Sequence, residues 1–199
     1  FMIITISGKS GAGKSTAVKA LAKKLHWTRY GIGDMRRLAA EEKGMTLEKF
    51  NAMGENDPRT DKIVDDYQKK IGETEDNIIV DGRLSWYFIP KSFKIFLTVS
   101  PEEGARRVYE ACLHGQRASE SDEFSSEQFV LESNQRRMES DQKRYQQYYG
   151  VDPYLPEHYD LVIDTTNLSP EETFANLIEA ISERLELETR LEEIGRAHV

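Results

Sequence analysis

The stretch ISGKSGAGKST, Ile6 to Thr16, constrains this chain most, and it follows a short apolar run, MIITIS, from Met2 to Ser7. Apolar, β-branched residues running into a glycine predict a buried strand. From Lys14 to Leu25, Ala17, Val18, Leu21, Ala22 and Leu25 recur at helical spacing, which predicts an amphipathic helix. Between the two, Gly8, Gly13, Lys14 and Ser15 are spaced G-x-x-x-x-G-K-S. In a strand–loop–helix setting that spacing makes a cradle for nucleotide phosphates. Gly8, Gly11 and Gly13 let the backbone wrap close to phosphate oxygens. Lys9, Ser10, Ala12 and Thr16 complete the nucleotide-binding loop. Lys14 reaches the β- and γ-phosphates, the Ser15 hydroxyl ligates Mg²⁺, and the helix points its positive end at the anion. The loop leaves open what receives the phosphate, water or a second substrate.

Further strands are predicted at HWTRY (His26 to Tyr30), NIIVDG (Asn77 to Gly82), FKIFLTV (Phe93 to Val99) and YDLVIDT (Tyr159 to Thr165). Helices fall between them, one from about Met35 and a long polar one from Phe129 to Tyr149. Pro101 and Pro170 sit at helix starts, where a missing N–H is tolerated. Strands alternating with helices predict a parallel sheet covered on both faces. The acidic piece HGQRASESDEFSSEQ, His114 to Gln128, interrupts the alternation and reads as a surface loop or a lid. Phe1 and the ending EIGRAHV, Glu193 to Val199, are left outside the fold argument, with one domain expected over residues 2–188 and a tail over 189–199.

Composition narrows the class. A chain of 199 residues is most simply one domain. The net charge of −8 argues against a general nucleic-acid binder, which needs clustered excess Lys and Arg. One cysteine, Cys112, excludes an internal disulfide framework and fits a reducing cytoplasm. With no long apolar run, a cytosolic protein without a membrane partner is expected; a monomer without a nucleic-acid partner is expected as well.

Asp81 ends the apolar run NIIVD, where it either holds Mg²⁺ through water or makes an Asp-Gly turn. A switch GTPase would carry N-K-x-D after a later strand, and the run there is DTTNLSP. Three features supply arginines away from the loop. In GIGDMRR, Gly33 and Asp34 open a helix with Arg36 in its first turn. In VDGRLSW, Arg83 follows the strand end. In RRMESDQKRYQQYYG, Arg137 and Arg144 are seven apart and share a face, with Arg136 and Lys143 in a parallel row. Singly each fits a cap or a solvated helix face. Together they describe a second phosphate-ester site.

On these residues the chain resembles the nucleoside monophosphate kinases, and within them the short cytidylate kinases of archaeal type. The resemblance runs from MIITISG to about DTTNLSPEE. It rests on Gly33 to Arg37, MTLEKF, DPRTD, Gly82 to Leu84, RMESDQKRY and YGVD. It implies the P-loop NTPase α/β fold, three layers with a five-stranded parallel sheet of order 2-3-1-4-5. A flap that binds the nucleoside monophosphate (NMP) spans about 33–75, and a lid about 112–145. It further implies ATP + CMP ⇌ ADP + CDP, with dCMP accepted. Arg36 and Arg83 would hold the monophosphate beside Gly33 and Asp34. Lys14 and Mg²⁺ would serve the donor, and Arg137 and Arg144 the phosphoryl group in flight. Arg107, or its neighbour Arg106, would lie near ATP, and Arg117 would replace a basic lid residue expected near Ala111. Asp61, at the end of DPRTD, would accept from the cytosine amino group or else serve as a helix cap or a solvated first-turn acid, with Asp65 next in line. An AMP or UMP kinase on the same frame, and a P-loop ATPase regulator without a small acceptor, are the rival readings. Ile32 in GIGD and the segment DGRL differ from the adenylate kinase pattern and weaken the AMP alternative.

Overall fold

A computed structural model describes residues 2–55, 57, 59–115 and 125–197. In chain order the elements are β1 (Ile3–Gly8), α1 (Lys14–Leu25), β2 (Thr28–Gly31), α2 (Ile32–Glu42), α3 (Leu47–Gly54), α4 (Arg59–Thr74) and β3 (Ile78–Asp81). There follow α5 (Ser85–Phe88), β4 (Phe93–Thr98), α6 (Pro101–Leu113), α7 (Glu127–Tyr149), a 3-10 turn (Pro156–His158), β5 (Leu161–Asp164) and α8 (Pro170–Ala197). The five strands form one parallel sheet of order β2-β3-β1-β4-β5. That is the order implied by the resemblance.

Strand alternation sorts the core into two layers. Ile4, Ile6, Ile79, Ile95 and Leu97 face α1 and α8, where Ala17, Val18, Leu21, Leu177 and Ile181 cover them. Ile3, Ile78 and Val80 face the other way, against Val64 and Ile71 of α4, the α5 aromatics and Tyr145 of α7. Burial on both faces explains why the central strands read as continuous apolar runs. Register then places the chemistry, because Ile6 pairs with Asp81 and Gly31 pairs with Asp81 from the other side. The ends of β1, β2 and β3 therefore meet at Asp81.

Several boundaries differ from the sequence expectation. The helix expected from about Met35 begins at Ile32, because extended Gly31 is its N-cap and Asp34 sits in its first turn, where an acid suits the helix dipole. His26 takes a left-handed φ of 57° and closes α1, so β2 starts only at Thr28. Ser126 accepts from the Phe129 N–H at 3.2 Å, which starts α7 at Glu127. The last strand stops at Asp164, and α8 stays helical through Ala197, into the ending left outside the fold. The lid expected within His114 to Gln128, with Arg117, falls largely outside the described residues. No helix among the described residues is long and apolar enough to cross a membrane.

Candidate active site

A cleft of ≈1420 Å³ runs from the phosphate loop to α4 and α7. One end of it is the turn between β1 and α1. Gly11 and Gly13 there have φ of 80° and 78°, a left-handed geometry that side chains disfavour. Lys9, Ser10, Ala12, Ser15 and Thr16 line the same turn. A Cβ on Gly8 would lie 2.6 Å from the Leu97 carbonyl oxygen, and one on Gly104 of α6 would lie 2.7 Å from that of Ser10. The loop is thus packed backbone to backbone against β4 and α6.

Arg107 is pinned beside this loop. Its Nε donates to Glu103 at 2.7 Å, and its Nη2 donates to the carbonyls of Thr165 and Thr166 at 2.8 and 3.1 Å. Arg106 instead pairs with Glu103 and Glu110 and stays more exposed. Both line the cleft.

At the centre, Lys14 Nζ donates to Asp81 Oδ1 at 2.7 Å, and Arg29 Nε donates to Oδ2 at 2.7 Å. Burial draws the Lys14 ammonium below its usual pKa against the pull of Asp81, and the Arg83 and Arg29 charges add to the lowering. Asp81 therefore reaches across strands rather than closing a local turn. Arg29 also pairs with Asp34 at 3.1 Å, and Arg37 does so at 3.0 Å. Asp34 is a bridge between arginines, and Gly31 takes the cap position. Sequence reasoning missed Arg29, whose only signal was a charge inside a short strand.

Among the described residues, no group of three or more His, Cys, Asp or Glu gathers to hold a metal. A divalent ion here would have Ser15 and Asp81, which both line the cleft, as its protein side. One hydroxyl and one carboxylate fit Mg²⁺, which keeps several waters and takes phosphate oxygens from its nucleotide.

The other end of the cleft gathers arginines. Arg36, 8% exposed, donates to Asn51 Oδ1 at 3.0 Å through Nη2 and to Asp61 through Nη1. Arg144 Nε lies 3.1 Å from Asp61 Oδ2. Its Nη2 donates to Asp141 Oδ1 at 2.9 Å and to the Tyr145 hydroxyl at 3.0 Å. Arg83 Nη1 donates to the Gly8 carbonyl at 2.7 Å, and its Nε pairs with Asp141. Burial opposes the charge of Asp141, but Arg83, Arg144 and Arg137 outweigh it and hold the carboxyl below its usual range. Arg137 and Arg144 line the cleft together, as their spacing predicts. The parallel row turns to α3 instead, with Arg136 against Glu48 and Lys143 against Glu55. Asp141, unnoticed in the sequence, lies between the two arginines on the same face.

Residues 3–167 match the cytidylate kinase-like family. The chain belongs to that family. It is 33% identical over 188 residues to a cytidylate kinase of Methanocorpusculum labreanum, covering 94% of this chain and 100% of that protein. It is 32% identical over 170 residues to a cytidylate kinase of Methanobrevibacter smithii, covering 85% and 92% of the two chains. Among solved structures, shikimate kinase from Acinetobacter baumannii in complex with shikimate superposes with a TM-score of 0.59 at 14% identity, covering 92% of this chain and 94% of that one. That likeness shows the P-loop kinase fold. The chain is a nucleoside monophosphate kinase.

Beyond the arginines, the kinase's cleft ends on α4. Asp61, 2% exposed, is held between Arg36 and Arg144. It does not cap the helix, since the Arg59 N–H donates to Asp57 at 3.0 Å. One turn on, Asp65 accepts from the Tyr149 hydroxyl and faces Gln68 Nε2 at 3.4 Å. Burial pushes its carboxyl up to about 6, against the lowering effect of the Tyr149 hydrogen bond. Gln68 Oε1 accepts from Ser85 Oγ at 2.7 Å. Gln68 was another residue that sequence reasoning passed over.

Proposed function

We propose that the kinase transfers the γ-phosphoryl group of ATP to CMP, and also to dCMP, releasing ADP and CDP or dCDP. The observation that carries this reading is the juxtaposition of a phosphate loop and a buried arginine set in one cleft, joined by Arg83 at the Gly8 carbonyl. The names of the related archaeal enzymes support cytosine as the base.

A phosphate oxygen of CMP attacks the γ-phosphorus, and the bond to the β-phosphate oxygen breaks. No covalent nucleophile is required, so positioning and countercharge dominate. Arg36 and Arg83 hold the acceptor phosphate, with Gly33 and Asp34 shaping the flap beside it. Arg137 and Arg144 neutralise the group in flight. Lys14 leaves Asp81 for the β- and γ-phosphates. Ser15 and, through water, Asp81 would hold a Mg²⁺ ion bound with ATP, which would supply further countercharge to the phosphates. Arg107 shapes the nucleotide side of the loop. As part of the same reading the enzyme is a cytosolic monomer, and residues about 33–75 form its flap and about 112–145 its lid.

A coupled assay of ADP release with CMP, dCMP, UMP, AMP and GMP tests the reading. CMP should give the highest kcat/KM, with dCMP second. A higher value for UMP or AMP would reassign the acceptor. Slow ATP hydrolysis indifferent to every monophosphate would favour an ATPase regulator instead.

A further inference from the structure

Asp61, in the first turn of α4, has its carboxylate engaged by two arginines, Arg36 and Arg144. Turning it to a base would take from Arg36 its paired carboxylate and leave Arg144 with Asp141 alone, in a site shielded from water. Asp65 is different. Its hydrogen-bond partners are neutral, the Tyr149 hydroxyl and the Gln68 amide, yet it lines the cleft while only 7% exposed. Gln68 lies three residues on, on the same face of α4, and is 2% exposed. Ser85 donates to Gln68 Oε1, which turns the amide nitrogen toward Asp65 and the cleft. That nitrogen carries two N–H donors, one directed at Asp65 and the other remaining for a ligand.

We propose that Asp65 and Gln68 form an acceptor–donor pair that reads the Watson–Crick edge of the acceptor base. This rests on the CMP reading above and adds how the base is chosen. Cytosine presents its N4 amino donor beside its N3 acceptor, so Asp65 accepts from N4 while Gln68 donates to N3. Uracil presents an O4 acceptor beside an N3–H donor, the reverse order, which sets carboxylate against carbonyl oxygen and N–H against N–H. Guanine shares uracil's order and is rejected for the same reason. Adenine shares cytosine's order and is separated from it by size, not by this pair. A polar site mismatched to its ligand discriminates strongly because both sides lose hydrogen bonds on burial. The raised carboxyl of Asp65 accords with an acid that no cation has claimed.

The test is a polarity swap. Asp65→Asn supplies a donor, Gln68→Glu supplies an acceptor, and the double variant presents the order uracil requires. For each protein, kcat/KM is measured with CMP and with UMP, and thermal unfolding reports the fold. Each single variant should lower the CMP:UMP ratio by about tenfold or more, and the double variant should use UMP better than wild type does. Folded variants that keep the wild-type ratio within about twofold would overturn the pair. If loss of the Tyr149 contact unfolds Asp65→Asn, Gln68→Glu decides alone, because it leaves that contact in place. A wild-type enzyme that prefers another monophosphate would overturn the CMP reading. A wild-type preference for CMP that survives both swaps would overturn only the edge pair.

Discussion

Arg144 and Asp141 lie one helical turn apart on α7, joined Nη2 to Oδ1 at 2.9 Å, with side chains 1% and 3% exposed. An arginine stays charged at any accessible pH, so burying one demands a countercharge. Asp141 supplies it, ties α7 to the segment after β3 by pairing with Arg83, and accepts from the Tyr154 hydroxyl just beyond α7 at 3.0 Å. The guanidiniums are thereby oriented before substrate arrives. Asp141→Asn keeps the volume and removes the charge. It should lower kcat by on the order of a hundredfold, as small misplacements of transfer groups do, with little change in KM for ATP. A variant with normal kcat and a lowered Tm would reduce Asp141 to a structural ion.

Lys14→Ala should cut kcat by on the order of a hundredfold to a thousandfold, because the ammonium is needed most where charge develops. The fold should survive, since Asp81 keeps its partner Arg29 and is not left an orphaned buried charge. Steady-state kinetics beside a thermal melt separate the two effects. A folded variant with wild-type kcat would remove Lys14 from the transfer.

Gly104→Ala probes the packing of the loop. Alanine is the better helix former by about 1 kcal/mol, so α6 itself should tolerate it. The new methyl would meet the Ser10 carbonyl oxygen at 2.7 Å and Val99 Cγ1 at 3.1 Å, and the first is backbone that must move. KM for ATP should rise several-fold while KM for CMP holds. Unchanged ATP affinity with a higher Tm would show that the loop yields without loss.

What was legible in the sequence follows from the range of each interaction. Gly8 to Ser15 could be read because strand, loop and helix are contiguous, and the apolar runs could be read because burial on both sheet faces leaves no polar alternation. Arg29 could not, because its link to Asp81 depends on β2 lying beside β3 in register. The face shared by Arg137 and Arg144 was legible from helical spacing. That Asp141 serves them is visible only once α7 packs over Arg83. For Asp61 the sequence offers a base contact, a helix cap or a solvated first-turn acid, and the structure buries it in the cleft wall. Its two arginine partners come from α2 and α7, which no spacing within DPRTD reports.

Asp65 makes the last prediction, and its sign is opposite to that of Asp141. Groups facing it are Tyr149 from α7, Arg36 from α2, and Asp61 and Lys69 from its own helix, with burial the dominant influence. Its folded value of about 6 stands above the usual unfolded value of about 3.9, so the native state binds this proton more tightly. The stability it contributes is whole below about pH 4 and is lost as pH rises through about 6. Asp141, held low by its arginines, contributes above about pH 4 and loses that contribution as pH falls further. Asp65→Asn removes the first titration and leaves the second. Urea unfolding of wild type and variant at pH 4, 5, 6 and 7 should therefore show a stability difference that moves in the variant's favour as pH rises. A shift of roughly two pKa units corresponds to on the order of 2–3 kcal/mol across that window. Loss of the Tyr149 contact adds an offset to the curve without changing its slope. A difference that stays flat from pH 4 to 7 would mean that Asp65 titrates as an ordinary carboxylate, and the cleft beside α4 would then be wetter than its burial implies.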